Sequence, residues 1–423
     1  MSVRSPDLVW MAAVPWHGIR GTDRHLAMAM SRHARVLWVD PPASPLTPAA
    51  RRGAYGRRIR PLISVVDDRL IRLTPVALPG LTRPGVRATT APLLRGQLRW
   101  ALRRLAIRPS AVVATHIEDV LGRWGSDVVS VLYGTDDYVA GAQLLGQSAR
   151  RLRRQERDAL ARADIVAVVS QQLAERWRGL GARPVLIPNG CSRPAAAIQP
   201  LPPGARGLPW PVVGLIGQLS ERIDIGLLEA TADAGFSLLL VGPHSPRWEP
   251  GRFAALAARD RVHYAGPVPA DAVPSYLAAT DVGITPYRDT EFNRASFPLK
   301  TLEYLAAGRP VVATDLPAAR WLLGDPGLPR QPAPAGEILA LASGQSAFVA
   351  ALRRMTAGQC TPIRVGDGLA VGERELASSG RCRDFADRHS WSRRAAAFAA
   401  LIGLLPASHT QAGADYVTAR MRM

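Results

Sequence analysis

Lys300 and Glu303 stand three residues apart on one face of the stretch Leu299–Ala307, whose apolar spacing predicts a helix. Pro298 suits the first turn, where a missing N–H costs nothing, so Leu299 and Lys300 fall at the helix start. Free N–H groups and the helix dipole favour phosphate at such a terminus, and a lysine there adds a mobile positive charge. Glu303, further in, suits sugar or ribose hydroxyls. The plain alternative is a solvent-exposed Lys–Glu pair. Gly308 ends the helix, Pro310 blocks its continuation, and Val311–Thr314 reads as the next strand.

Other residues with chemical potential follow apolar runs. Gly217 permits close backbone approach at a strand end, and Arg222, five residues on, could reach a phosphate or be an ordinary surface arginine. His116 follows the run Ala111–Thr115, with Glu118 and Asp119 nearby. Asp136 and Asp137 lie just past Val128–Tyr133, suited to proton abstraction, to binding a hydroxylated ligand or to capping a turn. As neighbours on one loop they point differently, so they do not predict a metal pair. The loop WHGIRGTDRH after the first run supplies His17, Gly18, Arg20 and Arg24 for hydrogen bonding, charge and tight turning.

These positions need strands to hold them, and the strands are legible. Apolar runs at Leu8–Val14, Val36–Val39, Ala111–Thr115, Val128–Tyr133, Ile165–Ser170 and Pro184–Ile187 alternate with helical patterns such as Leu93–Leu105 and Arg150–Ala163. Continuous apolar strands between helices predict a parallel sheet covered on both faces. A Pro-, Ala- and Gly-rich stretch reads as a linker, after which a second series begins with Val212–Gly217, Ser237–Val241, Val262–Ala265, Val282–Pro286 and Val311–Thr314. The expected division is an amino-terminal domain over 1–195, a linker over 196–210, a second domain over 211–385, a helix over 386–405 crossing back to the first domain, and a tail over 406–423. Arg383–Ile402 reads as one helical pattern, and 325–380 is nearly silent.

Composition limits the function classes. The 423 residues are 47% hydrophobic and 21% charged, as in a packed globular chain. Three scattered cysteines argue against a disulfide framework or a thiolate metal site. No apolar stretch reaches spanning length and no export signal opens the sequence, so a cytoplasmic protein is expected. Of 53 basic residues only Lys300 is lysine, and the net charge is +19. Arginines cluster at Arg51, Arg52, Arg57, Arg58 and Arg60, at Arg99, Arg103 and Arg104, and at Arg150, Arg151, Arg153 and Arg154. No nucleic-acid-binding motif accompanies them. Solvated surface, or a face meeting anionic lipid or glycan, are the readings kept open. Neither a dinucleotide fingerprint nor a P-loop occurs.

The segment from Pro298 to Val312, with Lys300, Glu303, Tyr304, Leu305, Ala306, Gly308 and Pro310, resembles the donor helix of GT-B glycosyltransferases. The likeness is to the GT4-like group that includes teichuronic-acid and other surface-polysaccharide transferases. The segments Ile187–Gly190, Gly214–Glu229, Leu238–Pro243, His263–Tyr287 and Asp387–Phe398 are similar to that group too. The resemblance implies two Rossmann-like domains facing each other across a cleft, the second holding a UDP- or GDP-type sugar donor and the first a glycan or lipid-linked acceptor. It places Lys300 at the diphosphate, Glu303 at the ribose, Gly266 beside the nucleobase and His116 near the transferred sugar. Asp136 or Asp137 would be base or acceptor ligand. No metal and no cofactor beyond the donor is implied.

Many members of the group carry a further glutamate eight residues before the second. That position is Ala295 here, with Glu291 and Asn293 as loose substitutes, and Gln218 stands where a basic residue is usual. Retention or inversion therefore stays open, as does oligomeric state. A basic first half also implies peripheral contact with the anionic inner face of a membrane. Alternatives are a non-catalytic sugar-nucleotide-binding or scaffold protein, or an epimerase or phosphorylase of the same fold.

Overall fold

The computed structural model describes residues 6–18, 20–44, 60–80, 83–194, 202–324, 338–357, 363–365, 368–370 and 373–405. Arg51, Arg52, Arg57 and Arg58, part of the expected linker and the tail lie outside these residues. The chain forms two compact units, one of residues 1–189 with 391–423 and one of residues 190–390.

The first unit is built on eight strands: β1 (Asp7–Met11), β2 (Arg35–Val39), β3 (Leu62–Asp67), β4 (Leu70–Thr74), β5 (Pro109–Ala114), β6 (Val129–Gly134), β7 (Ile165–Val168) and β8 (Val185–Leu186). Their order in the sheet is β3-β4-β2-β1-β5-β6-β7-β8. All neighbours are parallel except the β3–β4 hairpin. Among the described residues the helices between them are α1 (Thr22–Met30), α2 (Pro84–Arg104), α3 (Ala149–Arg162) and α4 (Gln171–Arg178). β1, β2 and β5 read as unbroken apolar runs because both faces are covered, and Leu8–Met11, Val36–Val39 and Ala111–Ala114 are buried throughout. Ser148 and Ser170 cap α3 and α4 by accepting N–H bonds from Arg151 and Leu173.

The second unit has β9 (Val212–Ile216), β10 (Ser237–Val241), β11 (Val262–Gly266), β12 (Val282–Thr285), β13 (Val311–Thr314) and β14 (Leu339–Ala342), in the order β11-β10-β9-β12-β13-β14 and all parallel. Its helices are α5 (Pro203–Arg206), α6 (Ile225–Asp233), α7 (Pro250–Ala257), α8 (Val273–Ala278), α9 (Glu291–Ala295), α10 (Leu299–Ala306), α11 (Pro317–Leu323), α12 (Gln345–Ala357) and α13 (Glu373–Arg388). A core of buried side chains, including Leu215, Leu228, Leu240, Ile284 and Phe348, fills one face of this sheet.

Two expectations change. The pattern Arg383–Ile402 is not one helix but two, α13 and α14 (Trp391–Leu401), parted at His389–Ser390. The His389 carbonyl accepts the Cys191 N–H at 2.9 Å, and Ser390 forms an extended bridge with Cys191, so the backbone there leaves the helical path. α14 then belongs to the first unit, where Phe398 meets Trp10 and Tyr133 at ring distances of 5.7 and 5.5 Å and Trp391 stacks on His25 at 5.4 Å. The silent stretch also yields a strand, β14, on the edge of the second sheet. Among the described residues no helix is long and apolar enough to cross a membrane.

Candidate functional site

In the second unit the chemistry gathers at the carboxyl ends of the strands. Gly217 leaves β9 and Gly242 leaves β10 with φ of +157° and +130°. A Cβ on Gly242 would lie 1.9 Å from the Gly217 carbonyl oxygen, so only glycine permits this approach. The Gly242 N–H donates to the Gly266 carbonyl at 2.8 Å, bringing the end of β11 into the same rim.

Lys300 lies over this rim. Its Cε would stand 3.3 Å from a Cβ on Gly217. Its Nζ donates to Glu303 Oε2 at 2.6 Å, with the two side chains 32% and 25% exposed. The pair is thus half-buried rather than solvated. Burial opposes the ammonium charge, but Glu303, by its own charge and hydrogen bond, holds the lysine pKa above its ordinary value. Pro298 caps α10 without a side-chain bond and Leu299 opens it. One turn in, the buried Tyr304 hydroxyl accepts the Ile216 N–H at 2.6 Å, tying α10 to β9 directly beneath Gly217. Tyr304→Phe leaves that buried N–H without its acceptor and should cost about 1–3 kcal/mol, read from the urea midpoint at constant slope. An unchanged midpoint would exclude this tie.

A cleft beside α10 is lined by Arg222, Thr285, Tyr287, Ser296, Pro298 and Thr314. The Arg222 guanidinium carbon sits 5.1 Å from the Tyr287 ring centroid and 4.9 Å from that of Phe292, and its Nε donates to Asn293 Oδ1 at 2.8 Å. Asn293 is buried and donates through Nδ2 to the carbonyls of Arg222 and Arg288, so its amide joins two loops. Glu291 is exposed in the first turn of α9, and Ala295 is buried. The structure therefore groups Lys300, Glu303, Gly217 and Gly266 on the strand ends, with Arg222, Asn293 and Pro298 alongside.

The first unit has its own cluster at the ends of β1, β5 and β6. Asp23, in the first turn of α1, is buried and accepts through Oδ2 from the Ala13 N–H at 2.9 Å and the Thr115 hydroxyl at 2.8 Å. Burial drives its carboxyl pKa up to about 6, against the pull of those hydrogen bonds and with a push from Asp136. The Tyr138 hydroxyl donates to the Thr115 carbonyl at 2.7 Å. Burial, then the charges of Asp136 and Asp23, raise its pKa well above the ordinary value. Asp136, partly exposed, thus shares its surroundings with Asp23 and Tyr138. Asp137 differs from its neighbour. It is buried, accepts from the N–H groups of Val139 and Ala140, and pairs with Arg176 at 2.8 Å. That is the geometry of a turn cap held by an ion pair.

His116 accepts the Glu118 N–H on Nδ1 at 3.2 Å, and burial lowers its pKa against the opposing effect of Glu118. Asp119 pairs with Arg95, Arg123 and Arg162. His17 and Gly18 are exposed on the loop after β1, where Gly18 N–H closes a turn on the Pro15 carbonyl at 2.8 Å. Burial and Arg72 lower the His17 pKa. The loop is anchored by Asp40 at the end of β2, which accepts from the Trp16 N–H and from Trp38 Nε1, both at 2.8 Å, and pairs with Arg72.

Sequence reasoning passed over Asp23, Asp40, Tyr138 and Gly242. For Gly242 the run LLLVGP was a usable signal. Nothing local marks Asp23, because its partners lie at Ala13 and Thr115.

Two α/β units of this kind are the GT-B fold. Sucrose-phosphate synthase from Thermosynechococcus elongatus matches with a TM-score of 0.66 over 94% of this chain and 98% of that one, at 18% identity. HepE from Anabaena, in complex with UDP and glucose, matches with a TM-score of 0.60 over 94% and 99%, at 16% identity. Residues 211–357, from β9 to the end of α12, match the family described as "Glycosyl transferases group 1". A stretch of 109 residues is 37% identical to the "Putative teichuronic acid biosynthesis glycosyltransferase TuaH" of Bacillus subtilis (strain 168), covering 25% of this chain and 27% of that protein. The match therefore spans about a quarter of the length of that relative.

Proposed function

We propose that the chain is a glycosyltransferase moving a sugar from a nucleoside diphosphate sugar to a hydroxyl of a glycan or lipid-linked saccharide, in cell-surface polysaccharide or glycoconjugate synthesis. The observation that carries this reading is Lys300, the one lysine of the chain, half-buried at the start of α10 against Gly217. Lys300 and the free N–H groups of α10 take the growing negative charge of the departing diphosphate, with no metal or further cofactor assigned a step. Glu303 receives the ribose hydroxyls, and the rim at Gly217 and Gly266 lets the donor approach the backbone. UDP is the first nucleotide to test, since the HepE and trehalose-6-phosphate structures among the fold's neighbours are complexes with UDP or a UDP-sugar.

In the first unit the reading assigns acceptor deprotonation to Asp136 rather than Asp137, whose carboxylate is committed to Arg176 and a turn. His116 and His17 are assigned to the sugar and acceptor surroundings. The protein acts in the cytoplasm, in peripheral contact with the anionic inner face of the membrane where a lipid-linked acceptor sits.

The test is ligand-induced thermal stabilisation with UDP-, GDP-, dTDP- and ADP-sugars, followed by product analysis with the stabilising donor. A donor at about 100 times its Kd should add about 2.7 kcal/mol of stability. No stabilisation by any of them sinks the donor assignment. Binding without transfer favours the non-catalytic reading, which the alanine at 295 and the committed amide of Asn293 make specific.

A further inference from the structure

We propose that the outward face of α2 is the surface by which this chain docks on an anionic lipid bilayer; the inference rests on the peripheral-membrane reading above and gives it a place. α2 is held to the first unit by one stripe, in which Leu94, Leu98 and Ala101 are buried. Gln97 reinforces it by exchanging two hydrogen bonds with the Val76 backbone, at 2.8 and 2.7 Å. The helix is therefore a fixed part of the unit, presented on a rigid base.

The opposite stripe has the composition of a bilayer interface. Leu93 and Trp100 are 38% and 41% exposed and lie seven residues apart, two turns along one face. Pro92, directly before Leu93 in the chain, is exposed as well. Arg99, Arg103 and Arg104 flank Trp100 within one turn and are all exposed. Arg103 and Arg104 have no carboxylate partner among the described residues, unlike Arg95, which turns to Asp119. The wider setting has the same sign, since residues 69–117 contain nine arginines and no Asp or Glu.

An indole beside aliphatic side chains, ringed by guanidinium groups, matches the boundary between acyl chains and anionic headgroups. A nucleic-acid surface would use the same arginines but gains nothing from an exposed Leu93 or Pro92. The face of α3 is the contrasting case. Its Arg153 and Arg154 are exposed too, but Asp158 lies 3.9 Å from Arg154 and no aromatic residue occurs in the helix.

The experiment is cosedimentation of the full chain with vesicles of phosphatidylcholine alone or with phosphatidylglycerol, at low and high salt, with a DNA duplex as a parallel probe. The variants are Trp100→Ala, the pair Arg103→Glu with Arg104→Glu, and a charge-matched control, Arg153→Glu with Arg154→Glu. All these positions are exposed, and the melting temperature reports that each variant folds. Wild type is expected on phosphatidylglycerol vesicles only, and less so in high salt. The α2 pair should weaken partition about 100-fold and Trp100→Ala about 10-fold, while the α3 pair stays near wild type. Equal losses from both pairs, or none from the α2 variants, would overturn α2 as the docking face while leaving membrane contact intact. An α2 effect on DNA without one on vesicles would reassign the surface to nucleic acid. Absence of wild type from every vesicle overturns membrane contact itself, while nucleotide-induced stabilisation stands or falls separately.

Discussion

Lys300→Ala should lower kcat/KM for the nucleotide sugar by about 10²–10³ and abolish most of the nucleotide-induced rise in melting temperature. The reason is positional. The ammonium is held by Glu303 at 2.6 Å and packed over Gly217, so it is fixed before any ligand arrives. A preorganised charge gives up little in reorganisation when a diphosphate develops negative charge beside it. Lys300→Arg is the informative companion. It keeps the charge but brings a larger planar group against Gly217, and should recover only part of the loss. The fold should be intact in both, because the tie between α10 and β9 runs through Tyr304, not Lys300. Full nucleotide-induced stabilisation of Lys300→Ala would remove Lys300 from the site, and a melting temperature lowered without ligand would make it a structural residue.

Asp23→Asn should change how stability depends on pH. The folded-state pKa of Asp23 is raised from 3.8 to about 6, so the native state binds its proton more tightly than the unfolded chain does. Stability from this residue is therefore fully present below about pH 4 and lost as pH rises through 6. A shift of about two units corresponds to about 3 kcal/mol lost by pH 8. Asparagine carries no charge and can still accept from Ala13 and Thr115 at the same oxygen. Urea unfolding at pH 4 and pH 8 should show wild type losing about 2.5 kcal/mol more than the variant over that interval. Parallel pH dependence in the two proteins would mean that Asp23 is ionised in the folded state at little cost.

Lys300 and Asp23 divide what was legible from what was not. The apolar runs gave the parallel strands of both sheets, because strands buried on both faces must be continuously apolar. The helix that carries Lys300 was legible because its signals are local: Pro298, Lys300, Glu303 and Gly308 lie within one helix and its ends. The Leu62–Thr74 hairpin was passed over although its turn is local, since its outer strand is half solvated and carries no continuous run. The break at His389–Ser390 was not legible, since an amphipathic pattern runs through it and only the pairing with Cys191, nearly 200 positions earlier, decides it.

The sequence alone therefore determined the class of fold, most of the strand-helix order and the grouping of Pro298, Lys300 and Glu303 on one helix. Tertiary structure decided the rest. It seated Lys300 on Gly217, brought Gly242 to the same rim, committed Asp137 and Asn293 to structural partners, and buried Asp23 against Thr115. It also decided which of the many arginines form an exposed face with Trp100. The physical reason is common to all of these. Periodicity encodes which face of an element is buried, whereas burial of a charge or the approach of two backbones depends on partners distant in the chain, which no local pattern specifies.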